Sequence, residues 1–365
     1  MTADDRTDLP VLLLHNIDPV WPEEDAKYAR KQVLEAVRAL RGVGHPVTSV
    51  AVRQPELRRV LRRYAPEEFI VLNWCEGLPG VDRSEPLVAR QLEEMGFTFT
   101  GASSRVLELS CDKARSREAM LRAHVPIPEG QVFDKVDGAK WERYPAIVKP
   151  IFEHSSIGIS AESVVKNRGQ LRAQLAHVLE DYGPALVEEF IDGREFRVGV
   201  WGNRKPVALP PGEMDFREFP EVRDRLCSYD AKFTPGSEHY EQIIFRLPAP
   251  VTRIEGRLLE RAAVGAHKAV GSPDYTRIDL RLRAGVCYVL DVNPNADISA
   301  DASMALCAQA GGIPYGAMLS RYINLAATRH PRFAHQRRAA SVPDRRPVQL
   351  PLALAEATSA VGLRD

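Results

Sequence analysis

The sequence predicts an α/β protein whose N-terminal unit is a parallel sheet and whose remainder is of α+β character. Two patterns predict this. Over the first hundred residues, apolar runs of strand length alternate with segments of helical periodicity. Further along, strand-like runs follow one another closely enough to pair as antiparallel hairpins. The chain has 365 residues, of which 44% are hydrophobic and 27% charged, so it is long enough for two or three globular domains.

The N-terminal unit is predicted to contain three strand–helix repeats. Apolar strands are predicted at 11–14, 47–52 and 69–74. The segments that follow them are predicted to be helical, at 24–40, 57–64 and 86–95. This alternation favours a parallel sheet with helices on both faces, and functional loops then lie at the carboxyl ends of the strands.

The rest of the chain mixes helices with strands that are close in sequence. Helices are predicted at 112–123, 171–179, 254–270 and 315–328. Strands are predicted at 146–149, 185–190, 275–282 and 287–292, with a hairpin of 196–201 and 206–209. Segment 210–245 has no sustained period and is predicted to be a long functional loop. The Arg- and Pro-rich segment 329–365 is predicted to be a mobile tail.

The amino-acid composition indicates which classes of partner to expect. Lys plus Arg equals Asp plus Glu at 49 each, so no net field favours nucleic acid or an anionic membrane, and small molecules are the expected partners. The five cysteines are widely spaced without a metal-binding pattern, which favours a reducing cytoplasm. The apolar run at 11–14 is too short for a signal peptide or a membrane span, so a cytoplasmic location is expected.

Lys149 stands at the end of the apolar strand AIVKP. Burying a lysine is costly unless it meets an anion, so this position predicts a phosphate partner. The alternative is that its side chain reaches out to the surface.

Two neighbouring predicted strands carry oxygen ligands and a cation. Asp279, Asp291 and Asn293 supply the hard donors that Mg²⁺ prefers when it also bridges nucleotide phosphates. Arg277 faces the same side of its strand as Asp279, where it could stabilise charge on a reacting oxygen. Each residue alone also fits a structural role, as a strand-end carboxylate or as an arginine paired with a nearby acid.

Eight segments in a fixed order carry a family resemblance. They are GFTFTGASS at 96–104, CDK at 111–113, IVKP at 147–150, EHSSIG at 153–158, EEFIDGREF at 188–196, SYDAKF at 228–233, RIDL at 277–280 and DVNPN at 291–295. Together they resemble the ATP-grasp superfamily and, within it, the D-Ala-D-Ala ligase branch, over residues 69–328.

That resemblance implies an ATP-grasp fold with four parts. Residues 1–105 would form an N-terminal α/β domain on the substrate side, and 106–184 a central subdomain with a phosphate lid loop. Residues 185–328 would form a C-terminal subdomain with the metal site, so that the two subdomains clamp ATP. Residues 329–365 would be the tail.

The same resemblance implies a role for each matching residue. Lys113 and Lys149 would hold the ATP phosphates under the lid residues Glu153, Ser155 and Ser156, and Glu195 would receive the ribose hydroxyls. The adenine hinge would be Glu188, Glu189, Phe190 and Ile191. Asp279, Asp291 and Asn293 would bind two Mg²⁺ ions, which Mn²⁺ could replace. Arg277 would stabilise the oxyanion, with Lys232 and Ser155 completing the catalytic set.

The activity implied is that of an ATP-dependent carboxylate–amine ligase. It would join an amino acid to an amino acid or an amine through an acyl phosphate, and the chain would be a homodimer. The alternatives are a true D-Ala-D-Ala ligase with a diverged lid and an ATP-binding module without catalysis.

Several positions depart from the family pattern. The segment that normally carries the glutamate for the first ammonium group is LHNIDPVWPEED, in which Glu24 is the best candidate, although it also fits an ordinary first-turn helix acid. Phe233 stands in place of a tyrosine and His154 in place of a glycine.

The largest departure follows DVNPN. The family has a glycine there and then a Ser-Leu pair that grips the acceptor carboxylate, whereas this chain has ADISADASMA. Asp297 and Asp301 would repel a carboxylate, and Ser303 could substitute only in part. The sequence therefore predicts an acceptor other than D-alanine and a role in specialised metabolism.

Overall fold

The computed structural model describes residues 5–234 and 236–336. The strands in this part of the chain form three sheets.

The first sheet is parallel and has the strand order β2-β1-β3-β4. Its elements in chain order are β1 Val11–Asn16, α1 Glu23–Val43, β2 Val47–Val52, α2 Leu57–Leu61, β3 Ile70–Trp74, α3 Glu85–Glu94 and β4 Thr98–Phe99. Strand β1 lies at the centre and is almost wholly buried because helices cover both faces. The three predicted strand–helix repeats are confirmed.

The central sheet is antiparallel, with the order β5-β8-β6-β7. Before it come α4 Ser104–Ser110 and α5 Lys113–Arg122, and its own elements are β5 Gly130–Phe133, β6 Ala146–Pro150, β7 Val164–Val165, α6 Arg168–Asp181 and β8 Ala185–Glu189. Helix α6 buries Leu171, Leu175 and Val178 against the sheet. The expected boundary between residues 184 and 185 divides this sheet, since β8 pairs with both β5 and β6.

The third sheet is antiparallel and the largest. Its elements begin with β9 Arg194–Trp201, β10 Val207–Ala208, β11 Gly212–Asp215, α7 Tyr229–Phe233, α8 Glu238–Gln242 and β12 Ile244–Arg246. They continue with α9 Arg253–Val270, β13 Tyr275–Arg283 and β14 Val286–Asn293. Helix α9 starts at a capping box of Thr252 and Glu255 and buries Leu259 and Ala263 under the sheet. The predicted hairpin is confirmed as the pairing of β9 with β10.

Two helices join the third unit to the first. They are α10 Ser303–Ala310 and α11 Tyr315–Ala327, and a short helix α12 Phe333–Gln336 follows. Met318 and Ile323 of α11 share one buried core with Leu13 of β1 and Leu40 of α1. This apolar contact packs α11 against the N-terminal unit.

The prediction that 210–245 is a loop is wrong, because this segment contains β11, β12 and the helices α7 and α8. Strand β11 reads Gly-Glu-Met-Asp, yet all four residues are buried. Arg194 neutralises Glu213 at 2.7 Å, and Arg246 neutralises Asp215 at 2.6 Å. Ion pairs therefore let acidic residues occupy a buried strand, and the apolar alternation that marks a strand is lost.

The prediction of a mobile tail is wrong for residues 329–336. Arg329 forms an ion pair with Asp274 at 2.6 Å and donates a hydrogen bond to the carbonyl of Phe99. His330 and Phe333 are buried and their rings stack. The rest of the predicted tail, 337–365, lies outside the described residues. None of the helices in the part of the chain that the structure covers is long and apolar enough to cross a membrane.

Candidate active site

A cavity of about 490 Å³ opens where the three units meet. This volume lies in the range of small-molecule and cofactor sites. It is lined by most of the sequence-predicted site residues: Lys113, Lys149, Glu153, Ser155, Ser156, Glu188, Glu189, Phe190, Ile191, Glu195, Arg277, Asp279, Asp291 and Asn293. Residues from the central and third sheets, from helix α5 and from the lid loop thus converge on one space.

The predicted magnesium ligands face each other across the β13–β14 pair. Asp279 lies opposite Asp291 and Arg277 opposite Asn293, with a bulge directly after Asp279. Opposite residues of an antiparallel pair have Cβ atoms about 4.5–5.5 Å apart. Arg277 donates to Asp279 from Nε at 3.1 Å. The arrangement brings two carboxylates, an amide and a permanent cation to one spot.

This donor set fits Mg²⁺ that also binds phosphate. Within 5–234 and 236–336, no group of three or more His, Cys, Asp or Glu residues could hold a metal ion by itself. Two carboxylates and one amide leave coordination positions for other oxygens, and Mg²⁺ in nucleotide sites takes those from phosphates and water.

Asp291 is ionised by its surroundings. Burial alone would raise the pKa of its carboxyl, but Lys113, His154, Lys149 and Arg277 lower it, and the net pKa lies below the ordinary value. Burial and Lys149 in turn lower the pKa of Lys113, while Asp291 opposes that shift. The two lysines therefore favour the ionised form of Asp291, and Asp291 in turn favours the charged form of Lys113.

Lys149 does not reach out to the surface. Its Nζ donates to Glu188 at 2.8 Å, and the lysine side chain is 14% exposed. Arg117 of α5 binds the other oxygen of Glu188. The carboxylate expected beside adenine thus has two cationic partners, which compensate for its burial. Arg117 was not predicted, since nothing local distinguishes it among the arginines of its helix.

Glu195, the predicted ribose ligand, is oriented by a second arginine that the sequence analysis missed. Arg281 donates from Nε to Glu195 at 2.8 Å and from Nη1 to the carbonyl of Ile191 at 2.8 Å. Its guanidinium lies over the Phe190 ring at 4.5 Å from the centroid. Arg281 is 2% exposed, so it fixes the hinge to β13. The alternation Arg277, Asp279, Arg281 along one strand face was the available signal.

The lid loop has a distinctive backbone. Ser155 and Ser156 adopt positive φ angles of 53° and 62°, a region that non-glycine residues seldom occupy. Ser156 Oγ donates to the carbonyl of Cys227 at 2.8 Å, which ties the lid to the segment before α7. Nε2 of His154 is buried without a hydrogen-bond partner in the described structure. Burial lowers the pKa of this imidazole, and Lys113 lowers it further.

Glu24 does not belong to the cavity. It lies in the first turn of α1 with its side chain 83% exposed and 3.7 Å from Lys27. The alternative, an ordinary acid favoured by the helix dipole, is what the structure shows.

Lys232 cannot be placed in the site. Its backbone is part of α7, but its side chain and that of Phe233 lie outside the described residues. The predicted role of Lys232 therefore stays a prediction.

The two aspartates after DVNPN have different environments. Asp297 lines the cavity and accepts hydrogen bonds from the backbone N–H and hydroxyl of Ser299, both at 2.8 Å. Asp301 instead accepts from Tyr28 at 2.8 Å and from Gln32 at 3.2 Å, which joins it to α1. The prediction that Asp301 repels a carboxylate in the site is therefore wrong, since it does not line the cavity.

Glu85 is an acidic residue of the cavity wall that was not among the predicted site residues. It lies in the first turn of α3, lines the cavity and accepts a hydrogen bond from the side-chain amide of Asn295. Burial raises the pKa of its carboxyl to about 7, against the hydrogen bond from Asn295. A first-turn helix acid is a common structural feature, so the sequence offered no signal that separates Glu85 from Glu24.

Known proteins share this fold along nearly the whole chain. The D-alanine–D-alanine ligase of Bacillus anthracis, solved in complex with ATP, superposes with a TM-score of 0.67 at 16% identity, over 91% of this chain and 99% of that one. The D-alanine–D-alanine ligase from Coxiella burnetii matches equally well, with a TM-score of 0.67 over 92% of this chain.

Sequence comparison agrees with the fold. A ligase described as D-alanine–D-alanine ligase from Marinomonas sp. is 31% identical over 260 residues, 69% of this chain and 75% of the relative. The uncharacterized protein y4sG of Sinorhizobium fredii is 28% identical over 320 residues, 85% of this chain and 92% of the relative. The family described as D-ala D-ala ligase C-terminus matches residues 122–324.

The fold and these matches define an ATP-grasp enzyme, an ADP-forming ligase that makes a carbon–nitrogen bond. Within that class, the chain belongs to the D-Ala-D-Ala ligase family. The family generally uses ATP and Mg²⁺ and acts on small molecules.

Proposed function

We propose that this enzyme joins the carboxylate of an amino acid to an acceptor amine other than D-alanine. The observation that carries this is the wall after β14, where Asp297 lines the cavity in the region in which the family grips the acceptor carboxylate. Ser303 does not compensate. It is buried in α10, its hydroxyl has no hydrogen-bond partner among the described residues, and it does not line the cavity.

We further propose the roles of the cavity residues. Lys113 and Lys149 hold the phosphates beneath Glu153, Ser155 and Ser156, and Glu195, held by Arg281, takes the ribose. The hinge of Glu188, Glu189, Phe190 and Ile191 packs against adenine. Asp279, Asp291 and Asn293 would hold Mg²⁺, two ions in our proposal, and bound Mg²⁺ would neutralise charge on the phosphates.

The proposed reaction has two steps. A carboxylate oxygen of the first substrate attacks the γ-phosphorus, the bond from that phosphorus to the β-γ bridging oxygen breaks, and an acyl phosphate and ADP result. The acceptor amine then attacks the acyl carbon through its neutral nitrogen and releases one proton, and inorganic phosphate leaves with the electron pair of the C–O bond. Arg277 is 6% exposed and held by Asp279, so it is positioned to stabilise the oxyanion of the second step.

A direct assay tests this function. Phosphate release from Mg-ATP is measured over an array of paired D- and L-amino acids and small amines, with mass spectrometry of every positive well. Release that requires two substrates, with a product mass equal to their sum minus water, is the expected result. D-Ala-D-Ala as the fastest-forming product would instead establish the alternative of a true D-Ala-D-Ala ligase.

Two further expectations remain proposals. A homodimer is supported by the family resemblance, and light scattering of the purified chain measures it. A cytoplasmic location is supported by the spacing of the cysteines, and fractionation of the native cell tests it.

A further inference from the structure

The cavity wall formed by the N-terminal unit contains a carboxylate, that of Glu85, which has no ion-pair partner among the described residues. Glu85 has one hydrogen-bond partner in the described structure, the side-chain amide of Asn295, and no ion-pair partner there. It lines the same cavity as the phosphate-side lysines. The single bond from Asn295 is made to one carboxylate oxygen, and the other oxygen has no hydrogen-bond partner among the described residues.

The neighbouring acids are arranged differently. Glu188 has Lys149 and Arg117, Glu195 has Arg281, and Glu153 has Arg83. Buried carboxylates in proteins are seldom left without such partners, because removing an ionised group from water is costly. The raised pKa of Glu85 reflects that cost. A cationic group entering from the cavity would supply the missing partner.

Glu85 is also close to the reacting end of the cavity. Its partner Asn295 donates from the backbone N–H to Oδ1 of Asn293 at 3.3 Å, so two hydrogen bonds connect Glu85 to a proposed magnesium ligand. The Glu85 charge also acts on Cys111, two residues before Lys113. A cation bound at Glu85 would therefore lie beside the groups proposed for acyl transfer.

We infer that Glu85 and Asn295 form an ammonium-binding subsite, in which Glu85 accepts hydrogen bonds from the –NH₃⁺ group of an amino substrate. This inference rests on the proposed function and names the group by which a substrate is recognised. The subsite takes a primary ammonium group, borne either by the carboxylate donor or by the acceptor amine. In this role Glu85 takes the place of the earlier candidate Glu24, which is exposed outside the cavity.

Kinetics of matched variants test the subsite. Glu85→Gln keeps the shape and the acceptor oxygen for Asn295 but removes the charge, Glu85→Asp keeps the charge, and Glu24→Gln is the control at another first-turn helix acid. With substrates found by the array, we expect Glu85→Gln to raise KM for one amine-bearing substrate at least about tenfold, as for loss of a charged hydrogen bond. The KM for ATP should stay within about twofold, because the nucleotide groups are untouched.

The substrate whose KM changes shows which amino group binds. A change for the substrate that is phosphorylated assigns the donor, and a change for the attacking amine assigns the acceptor. Glu24→Gln should change neither, and Glu85→Asp should recover part of the loss. If wild-type enzyme requires two substrates and Glu85→Gln has unchanged KM values for both, the subsite is refuted while the proposed function stands.

A binding experiment tests the subsite even if no amide product is found. Calorimetry of the enzyme with Mg-AMPPNP uses D-alanine, L-alanine, β-alanine and putrescine as probes, with N-acetyl-D-alanine as the uncharged control. Binding of at least one amine, its loss in Glu85→Gln and no binding of the acetylated control would support the subsite. Equal binding by Glu85→Gln, or binding of no amine by the wild type, would overturn it.

Discussion

The two ends of the cavity balance their charges in different ways. Where the central and third sheets meet, the acids Glu188, Glu195 and Asp279 each have a basic partner from the protein itself. At the N-terminal wall, the one partner of Glu85 in the part of the chain that the structure describes is the side-chain amide of Asn295. At the nucleotide end, the charges of the acids are balanced without a substrate, which suits a nucleotide that every turnover uses. At the N-terminal wall, the charge of Glu85 is balanced by the ligand, so this end decides specificity.

The largest expected effect comes from Arg277, at the junction of the two ends. Arg277→Ala should lower kcat for amide formation by about 10²–10³-fold, as for removal of one oxyanion donor. Calorimetric affinity for Mg-AMPPNP should change little, because the guanidinium pairs with Asp279 and does not hold the nucleotide in our proposal. The exposed Arg257 of α9 offers the matched control. Full turnover of Arg277→Ala would contradict the assigned mechanism.

The second largest expected effect is on the Mg²⁺ concentration that the enzyme needs. Asp291→Asn should raise the Mg²⁺ concentration needed for half-maximal activity by roughly tenfold or more, because it removes one of two carboxylate ligands. Activity is measured over a Mg²⁺ titration at saturating ATP. Asp301→Asn, outside the cavity, should leave the titration unchanged. Identical curves for all three proteins would remove Asp291 from the metal site.

Arg281, the ion-pair partner of Glu195, should contribute to the stability of the folded protein. Arg281→Met leaves Glu195 buried without its partner, and we expect the free energy of unfolding to fall by about 3 kcal/mol. Chemical denaturation measures it. Adding Glu195→Gln should restore part of the loss, since the unpaired charge is then gone. Additive losses in the double variant would show that the two side chains do not interact.

The smallest effect concerns Glu85 at the N-terminal wall of the cavity. The pKa of Glu85 is raised in the folded state to about 7 from its ordinary value, so between those two values ionisation destabilises the fold increasingly as pH rises. Glu85→Gln mimics the protonated acid. Its Tm should therefore exceed that of the wild type at pH 8 by about 1–3 °C, and the difference should vanish near pH 4. A lower Tm at pH 8 would mean that Glu85 already has a stabilising partner.

Much of the fold could be predicted because its longest elements carry local signals. The strand at 47–52 and the hairpin of β9 with β10 follow from runs of apolar residues and short connections. Helix α9 is predicted by the amphipathic period of its residues and by the capping box at its start. Strand β4 has two residues and β11 has buried acids, so neither shows a period of two.

The site divides in the same way. Residues within short ordered motifs, such as Lys149 and Asp279, could be selected from the sequence and do line the cavity. Arg117 has no local signal, and for Arg281 the only signal is its position two residues after Asp279. Their partners Glu188 and Glu195 lie 71 and 86 residues away in the chain. Only the folded structure shows those pairs.

The measurement that tests the central claim most directly is a competition experiment. D-alanine and a mixture of other amino acids and amines are offered at equal concentrations with Mg-ATP, and all amide products are quantified by mass spectrometry. If the donor carboxylate carries ¹⁸O, the released phosphate should gain one ¹⁸O atom through the acyl phosphate. We predict labelled phosphate and a main product whose acceptor is not D-alanine. Unlabelled phosphate, or D-Ala-D-Ala as the main product, would contradict the account.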